Sequence, residues 1–299
     1  MVAVAVTSSS RTDKAADAVI MVLVGCLGLV CLIPILNSLA LSLSDKAIVE
    51  AGAVFLVPRK INLTSYGIIL EDRQFFRSFL ISIERVVLGG IINFVITLLM
   101  AYPLSKERSV FRAREVYIYL LLVTMLFSGG LIPIYMIVNA VGIMDTIWAL
   151  VLPGAVPVFN VIIMMNFFRQ VPRELEEAAT VDGARQATIL AKIYLPLSVP
   201  SVATVTLFSM VAHWNAFFDG LIYMNSPRDY PLQTYIQTLV LGQHDFTRLT
   251  VEEIKRMSQT SSKTLNNAKI IVSMIPMMMV YPFLQRYFVK GLVLGSVKG

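Results

Sequence analysis

Few side chains in this 299-residue chain are equipped for chemistry, and they sit in separate places. Glu174, Glu176 and Glu177 crowd into VPRELEEAATVDGARQATILAKIYLPLSVP (171–200), followed there by Asp182 and Gly183. His213, Trp214, Asn215 and Asp219 form a polar cluster within an apolar run, and Glu84 and Arg85 interrupt another. Cys26 and Cys31 share one apolar block; five apart on a helix they point in different directions, so they read as small apolar residues of a span rather than a disulfide. The only histidines, His213 and His244, have no partners at metal-ligand spacing, and no metal site is expected. Neither HExxH nor GxSxG occurs, which argues against an intramembrane hydrolase. No GxxxxGK[ST] phosphate loop occurs either, so ATP is not expected to bind to this chain. What remains is recognition by short acidic and small-residue surfaces.

The elements that must carry these residues are membrane spans. Hydrophobic residues make up 57% of the chain and charged residues 15%, against about 25% charged in a soluble protein. The apolar residues come in long charge-free blocks, and a spanning helix needs about 20 of them. The blocks predict six spans, at about 18–44, 79–105, 116–140, 146–168, 198–224 and 268–288, in an all-α integral membrane protein. The sixth fits if Lys269 and Arg286 snorkel to the two interfaces. Residues 1–17 read as a polar tail before an uncleaved first span, and 291–299 as a second tail.

Six spans place both termini on one side. Lys106, Arg108, Arg112 and Arg114 follow span two, Arg169, Arg173, Arg185 and Lys192 follow span four, and Arg286, Lys290 and Lys298 follow span six. All fall on the same side, which the positive-inside rule assigns to the cytosol. The net charge of +6 is thereby explained without nucleic acid. The longer segments, about 45–76 and 225–268, fall outside. Within the second, Thr250 and Glu253 form a capping-box pattern, and Val251, Ile254 and Met257 one apolar face, so a short outer helix is expected over 249–259. It can rest on the protein's own spans or on a soluble partner.

The cytosolic segment 171–200 has a definite local logic. Pro172 suits a helix's first turn, and the glutamates favour its N-terminus. Ala178 and Ala179 offer a small surface for close approach, and Gly183 can take the left-handed conformation that ends a helix. A second helix is expected over 184–195, with Pro196 and Pro200 marking the return to the membrane. By shape alone this is an ordinary amphipathic connector.

By its residues it is more specific. EAATVDGARQATILAKIYLP (177–196) resembles the signature loop of ABC importer permeases: Glu-Ala-Ala, three residues, Gly, nine residues, Ile, one residue, Leu-Pro. Glu177, Ala178, Ala179, Gly183, Ile193, Leu195 and Pro196 all match without insertion. FSGGLIPIYMIVNAVGIMDT (127–146), HWNAFFDGLIYM (213–224) and QRYFVKGLVLGSVKG (285–299) resemble the maltose-type, binding-protein-dependent carbohydrate branch, and within it the importers of acidic or complex oligosaccharides such as alginate oligosaccharides.

The resemblance implies a type I ABC importer permease fold with its coupling helix in the cytosolic loop between spans four and five. Glu177, Ala178, Ala179, Asp182 and Gly183 would contact a separate cytosolic ATPase that carries ATP and Mg. The tail Ser296, Val297, Lys298 and Gly299 would reach the interface of two such ATPases. The other implied partners are a second permease subunit in a heterodimer, an extracytoplasmic sugar-binding protein and membrane lipid. Glu84, Arg85, Trp214, Asn215 and Asp219 could line the pathway, with Asn215 and Asp219 on one helical face and Trp214 stacking on a sugar. They could equally tie spans together, and Glu84 and Arg85 could sit at the interface. A secondary transporter working without ATP is the alternative; it would show paired repeats, which are not evident, and would leave the loop unexplained.

Overall fold

The computed structural model of the protein describes residues 11–241 and 261–296. In chain order its helices are α1 (Arg11–Ser42), α2 (Lys46–Glu50), α3 (Thr64–Glu71), α4 (Arg73–Ser105), α5 (Arg114–Leu126), α6 (Leu131–Ala140), α7 (Ile147–Val151), α8 (Val158–Phe168), α9 (Arg173–Val181), α10 (Gln186–Ile189), α11 (Leu195–Leu197), α12 (Val199–Asn215), α13 (Phe218–Tyr223), α14 (Leu232–Val240) and α15 (Ser262–Ser296). Among the described residues the β pairing is an isolated antiparallel bridge between Ser44 and Ile61. The chain is therefore all-α, as expected, and falls into two compact units.

The first unit comprises 1–71 and 245–272. Over 16–42, α1 is an unbroken apolar helix long enough to span a membrane. From Val19 to Leu32 its large side chains are exposed, as for a helix that is apolar all round and meets lipid or another subunit. Only its end is tied down, where Ala40 and Leu41 pack with Val49 and Val54. Ser42 Oγ and the Tyr66 hydroxyl lie 2.8 Å apart, and Asp45 caps α2 by accepting from the Ala47 amide at 3.0 Å.

The second unit comprises 72–244 and 273–299. At its centre stands α4, the second unbroken span, against which α7, α8, α12 and α14 pack. It begins at Arg73, where Asp72 accepts from the Phe75 amide at 3.0 Å, six residues before the expected start of span two. The next three spans are bent. The helices α5 and α6 meet at 111° across Phe127–Gly130, where Gly130 takes φ +82°. A bend of 48° around Pro153, Gly154 and Pro157 separates the α7 stretch from α8. The segment from α10 to α11 meets α12 at 89° beside Pro196 and Pro200. Glycine and proline explain each bend, because each removes a helical constraint or a hydrogen bond. The expected sixth span lies within the 35-residue α15.

Apolar burial contributes little inside a bilayer, where lipid is as apolar as the core, so packing and interhelical hydrogen bonds hold spans together. Tyr102, Leu104, Val161, Met164, Phe168, Ile189 and Tyr194 form the core at the end of this unit that carries α9 and α10. Deeper in the membrane, Asn160 on α8 donates to the Val205 carbonyl at 3.2 Å and to Ser209 Oγ at 3.0 Å on α12.

Candidate functional site

The signature segment folds much as its residues dictate. Pro172 precedes α9, whose first turn carries Glu174 and Glu176. The helix ends where the Gly183 amide reaches the Thr180 carbonyl at 3.0 Å and the Ala184 amide reaches the Ala179 carbonyl at 2.9 Å. That return needs φ +78° at Gly183, the left-handed region that favours glycine. Glu177, Ala178, Asp182 and Gly183 are exposed, and so are Leu175 and Val181, the latter 88% exposed. Ala179 turns the other way and packs on the chain's own core, because one residue step rotates about 100° around a helix.

The expected second helix over 184–195 is not uniform. It runs as α10, then a π-helical turn over Leu190–Tyr194, then α11. The wider turn accompanies burial of Tyr194, whose ring meets Tyr102 edge-on at 5.0 Å and Phe168 edge-on at 5.4 Å.

An ion pair unforeseen in the sequence fastens this segment. Lys106, the residue that ends α4, donates from Nζ to Glu176 Oε2 at 2.7 Å and to the Tyr194 hydroxyl at 3.0 Å. The Tyr194 hydroxyl in turn donates to the same Oε2 at 2.6 Å. The ammonium lies 3.9 Å from the Tyr102 ring centroid and 4.2 Å from that of Tyr194, within cation–π range. Tyr102 also donates to Gln186 Oε1 at 2.6 Å. The Lys106 side chain is 9% exposed and that of Glu176 19%. Burial works against the Glu176 carboxylate, but the bonds from Lys106 and Tyr194 and the charges of Lys106 and Arg173 outweigh it and hold the group below its ordinary value of 4.5. For Lys106 burial dominates, lowering its pKa although Glu176 opposes the shift.

Within the membrane the charged residues separate. Arg85 is buried and Glu84 exposed. From Nη1, Arg85 donates to Asp219 Oδ1 at 3.0 Å and to the Ala216 carbonyl at 3.3 Å; from Nη2 it donates to Asp219 Oδ2 and to the Leu150 carbonyl at 3.2 Å. Two turns along α4, Asn93 donates to the Gly154 and Ala155 carbonyls at 2.7 and 3.1 Å and meets His213 Nε2 at 2.7 Å. Both residues face breaks in neighbouring spans. The broken helices free carbonyls from helical bonding, and the α4 side chains satisfy them. Beside this cluster lies a cavity of about 630 Å³ bordered by Arg85, Asn93, Asn160, Ser209, His213 and Asp219.

One expectation is corrected here. Asn215 and Asp219 do not share a helical face, because α12 ends at Asn215 and Ala216 is extended before α13 begins. Asn215 is exposed and does not border the cavity. Trp214 is buried, edge-on to Phe79 at 5.8 Å. Glu84 likewise does not border the cavity. Sequence reasoning missed Asn93, Asn160 and Ser209, whose signal was a polar residue inside an apolar span; Glu176 carried no signal beyond its run of glutamates. Of the tail, Ser296 ends α15, whereas Val297, Lys298 and Gly299 lie outside the described residues, as does the expected outer helix over 249–259.

A sequence profile described as binding-protein-dependent transport system inner membrane component matches residues 85–294. The chain is 36% identical over 271 residues to the polygalacturonan/rhamnogalacturonan transport system permease protein YtcP of Bacillus subtilis (strain 168), covering 91% of this chain and 94% of that one. It is 35% identical to protein LplC of the same organism, over 97% of both chains. A chain in the crystal structure of a bacterial ABC transporter involved in the import of the acidic polysaccharide alginate superimposes with a TM-score of 0.84 at 33% identity, over 93% of this chain and 98% of that one. A chain from a bacterial alginate ABC transporter in complex with an alginate pentasaccharide-bound periplasmic protein shares the fold, with a TM-score of 0.54 at 16% identity.

Proposed function

Because the chain belongs to the inner-membrane permease family of binding-protein-dependent ABC importers, we propose that it carries an acidic oligosaccharide, of the alginate or polygalacturonate kind, from a soluble binding protein into the cytosol. It is a multi-pass membrane protein and a permease component rather than an enzyme. The cargo rests on what the relatives are named for: alginate and polygalacturonan are both chains of sugar acids. In this reading residues 18–290 form the membrane domain, and the tails 1–17 and 291–299 lie on the cytosolic side.

The observation that carries the mechanism is the exposed helix α9, ended by left-handed Gly183. Glu177 and Ala178 present charge and close packing to a cytosolic ATPase, with Leu175 and Val181 supplying apolar contact. Asp182 and Gly183 shape the turn, and Ala179 braces the helix from behind. ATP and Mg belong to two such ATPases, whose closure displaces α9 and rocks the spans between inward-open and outward-open arrangements. Ser296, Val297, Lys298 and Gly299 reach toward the interface between the ATPases. A second permease subunit completes the pathway, to which Arg85 and Asp219 contribute from the cavity side.

The test is uptake by the importer reconstituted in liposomes from this chain, its second permease, the ATPases and the binding protein. Labelled oligogalacturonate or oligoalginate should enter only with internal ATP, and neutral maltotriose should not compete. Accumulation without ATP, or preference for the neutral sugar, would overturn the reading.

A further inference from the structure

Two adjacent glutamates at the start of α9 face different surroundings. Glu177 is exposed and accepts no hydrogen bond from another described residue, whereas Glu176 is turned into the protein. One oxygen of Glu176 receives both the Lys106 ammonium and the Tyr194 hydroxyl, and these two also bond each other. The triangle joins three elements: α9, the cytosolic end of α4, and the π-helical turn that leads through α11 into α12. Its members have little room to swing, because the rings of Tyr102 and Tyr194 flank the ammonium and Phe168 backs Tyr194.

The other ion pair that ties α9 to the loop after α4, Arg173 with Glu107, has side chains 65% and 50% exposed. Exposed pairs of that kind hold little. The triangle is thus the shielded polar link between α9 and the spans among the described residues.

We infer that Glu176 is a positioning residue for transport, the joint by which movement of α9 is passed jointly to α4 and α12. The inference rests on the reading that α9 docks on an ATPase. If α9 is displaced from below, a loose joint would let it move alone and leave the spans behind; a closed triangle moves α4 and α12 with it. The π turn suits the role, since such turns are found where a helix must accommodate function at some cost in geometry. Glu176 is held ionised at neutral pH, as the joint requires.

The experiment uses the whole reconstituted importer and reads three quantities: ATPase retained, ATP hydrolysed, and labelled acidic oligosaccharide moved per ATP. In Glu176→Gln, attachment and hydrolysis should stay within about twofold of wild type while cargo moved per ATP falls about tenfold, the size of one charge-assisted hydrogen bond. Glu176→Asp, which keeps the charge, should recover part of the loss. Tyr194→Phe removes one hydroxyl and keeps the ring packing, so it should fold even where the Glu176→Gln chain itself does not; a smaller fall in the same ratio is expected. An unchanged ratio in Tyr194→Phe, or release of the ATPase by Glu176→Gln, overturns the inference. Gly183→Val serves as the separate control: if it leaves attachment and uptake intact, the docking reading fails instead.

Discussion

The carboxylate of Glu176 sits 2.7 Å from the Lys106 ammonium, although 70 residues separate them, while neighbouring Glu177 points to solvent. A step of one residue turns about 100° around a helix, so adjacent glutamates on α9 serve opposite surfaces. The inner one fastens the segment to the spans, and the outer one is exposed.

Removing one member of this pair should cost more than removing both. Glu176→Ala leaves an ammonium that is mostly shielded from water with only the Tyr194 hydroxyl and two ring faces. A loss of about 3 kcal/mol is expected for breaking such a pair. Lys106→Met combined with Glu176→Leu should recover at least half of it, since neither charge then needs a partner. Thermal unfolding in detergent measures both; equal losses in the single and double variants would show that the stranded ammonium costs nothing.

Acid should loosen the same joint. Glu176 is held below its ordinary value of 4.5 in the folded protein, so the unfolded chain takes up the proton first. Its contribution is fully present above pH 4.5 and is lost as pH falls through the lower folded value. The melting-temperature gap between wild type and Glu176→Gln should accordingly be constant above that point and close below it. A gap that stays open in acid would mean that the ionised carboxylate is not what stabilises the joint.

How much of this was legible depended on how local each feature is. The turn at Gly183 and the exposure of Glu177 follow from residues within one segment, and both are readable from 171–200. The approach of Lys106 to Glu176 and Tyr194 is set by the packing of α4 against the loop, which spacing along the chain does not reveal. Counting charge-free windows did not reveal the bends at Gly130 and Gly154, because charge is blind to backbone breaks, whereas Pro196 and Pro200 marked the bend that leads into α12. Helical spacing failed for Asn215 and Asp219 for the same reason: it presumed a helix that ends at Asn215.

The adjacent glycines of α4 should behave differently. A methyl group at Gly89 would overlap the His213 imidazole, whereas at Gly90 the nearest atom, Met210 Cγ, is 4.0 Å away. Gly89→Ala must push His213 off Asn93, losing their 2.7 Å bond and the α4–α12 contact. A loss of about 2 kcal/mol is expected from such overpacking, while Gly90→Ala should be neutral or gain a few tenths of a kcal/mol from helix propensity. Unfolding by denaturing detergent separates the two, and equal behaviour would sink this account of the helix contact.

Arg85 and Asp219 offer the sharpest test of what the membrane cluster is for. Arg85 bonds Asp219 and also holds the Leu150 and Ala216 carbonyls at the breaks in two spans. Arg85→Met removes the charge and leaves both carbonyls without this donor, and the part-buried Asp219 carboxylate, 25% exposed, without its ion pair. A loss of about 3–5 kcal/mol is expected, because breaking a buried pair strands the remaining charge. Asp219→Leu strands the guanidinium but leaves both carbonyls served, so its loss should be smaller. In the Arg85→Met/Asp219→Leu double variant no charge is stranded, but the carbonyls remain bare, and each unsatisfied group in lipid is costly. The double variant should therefore stay less stable than wild type, yet more stable than Arg85→Met. A double variant as stable as wild type would show that the carbonyls at the breaks do not need Arg85, leaving the pair itself as its whole contribution.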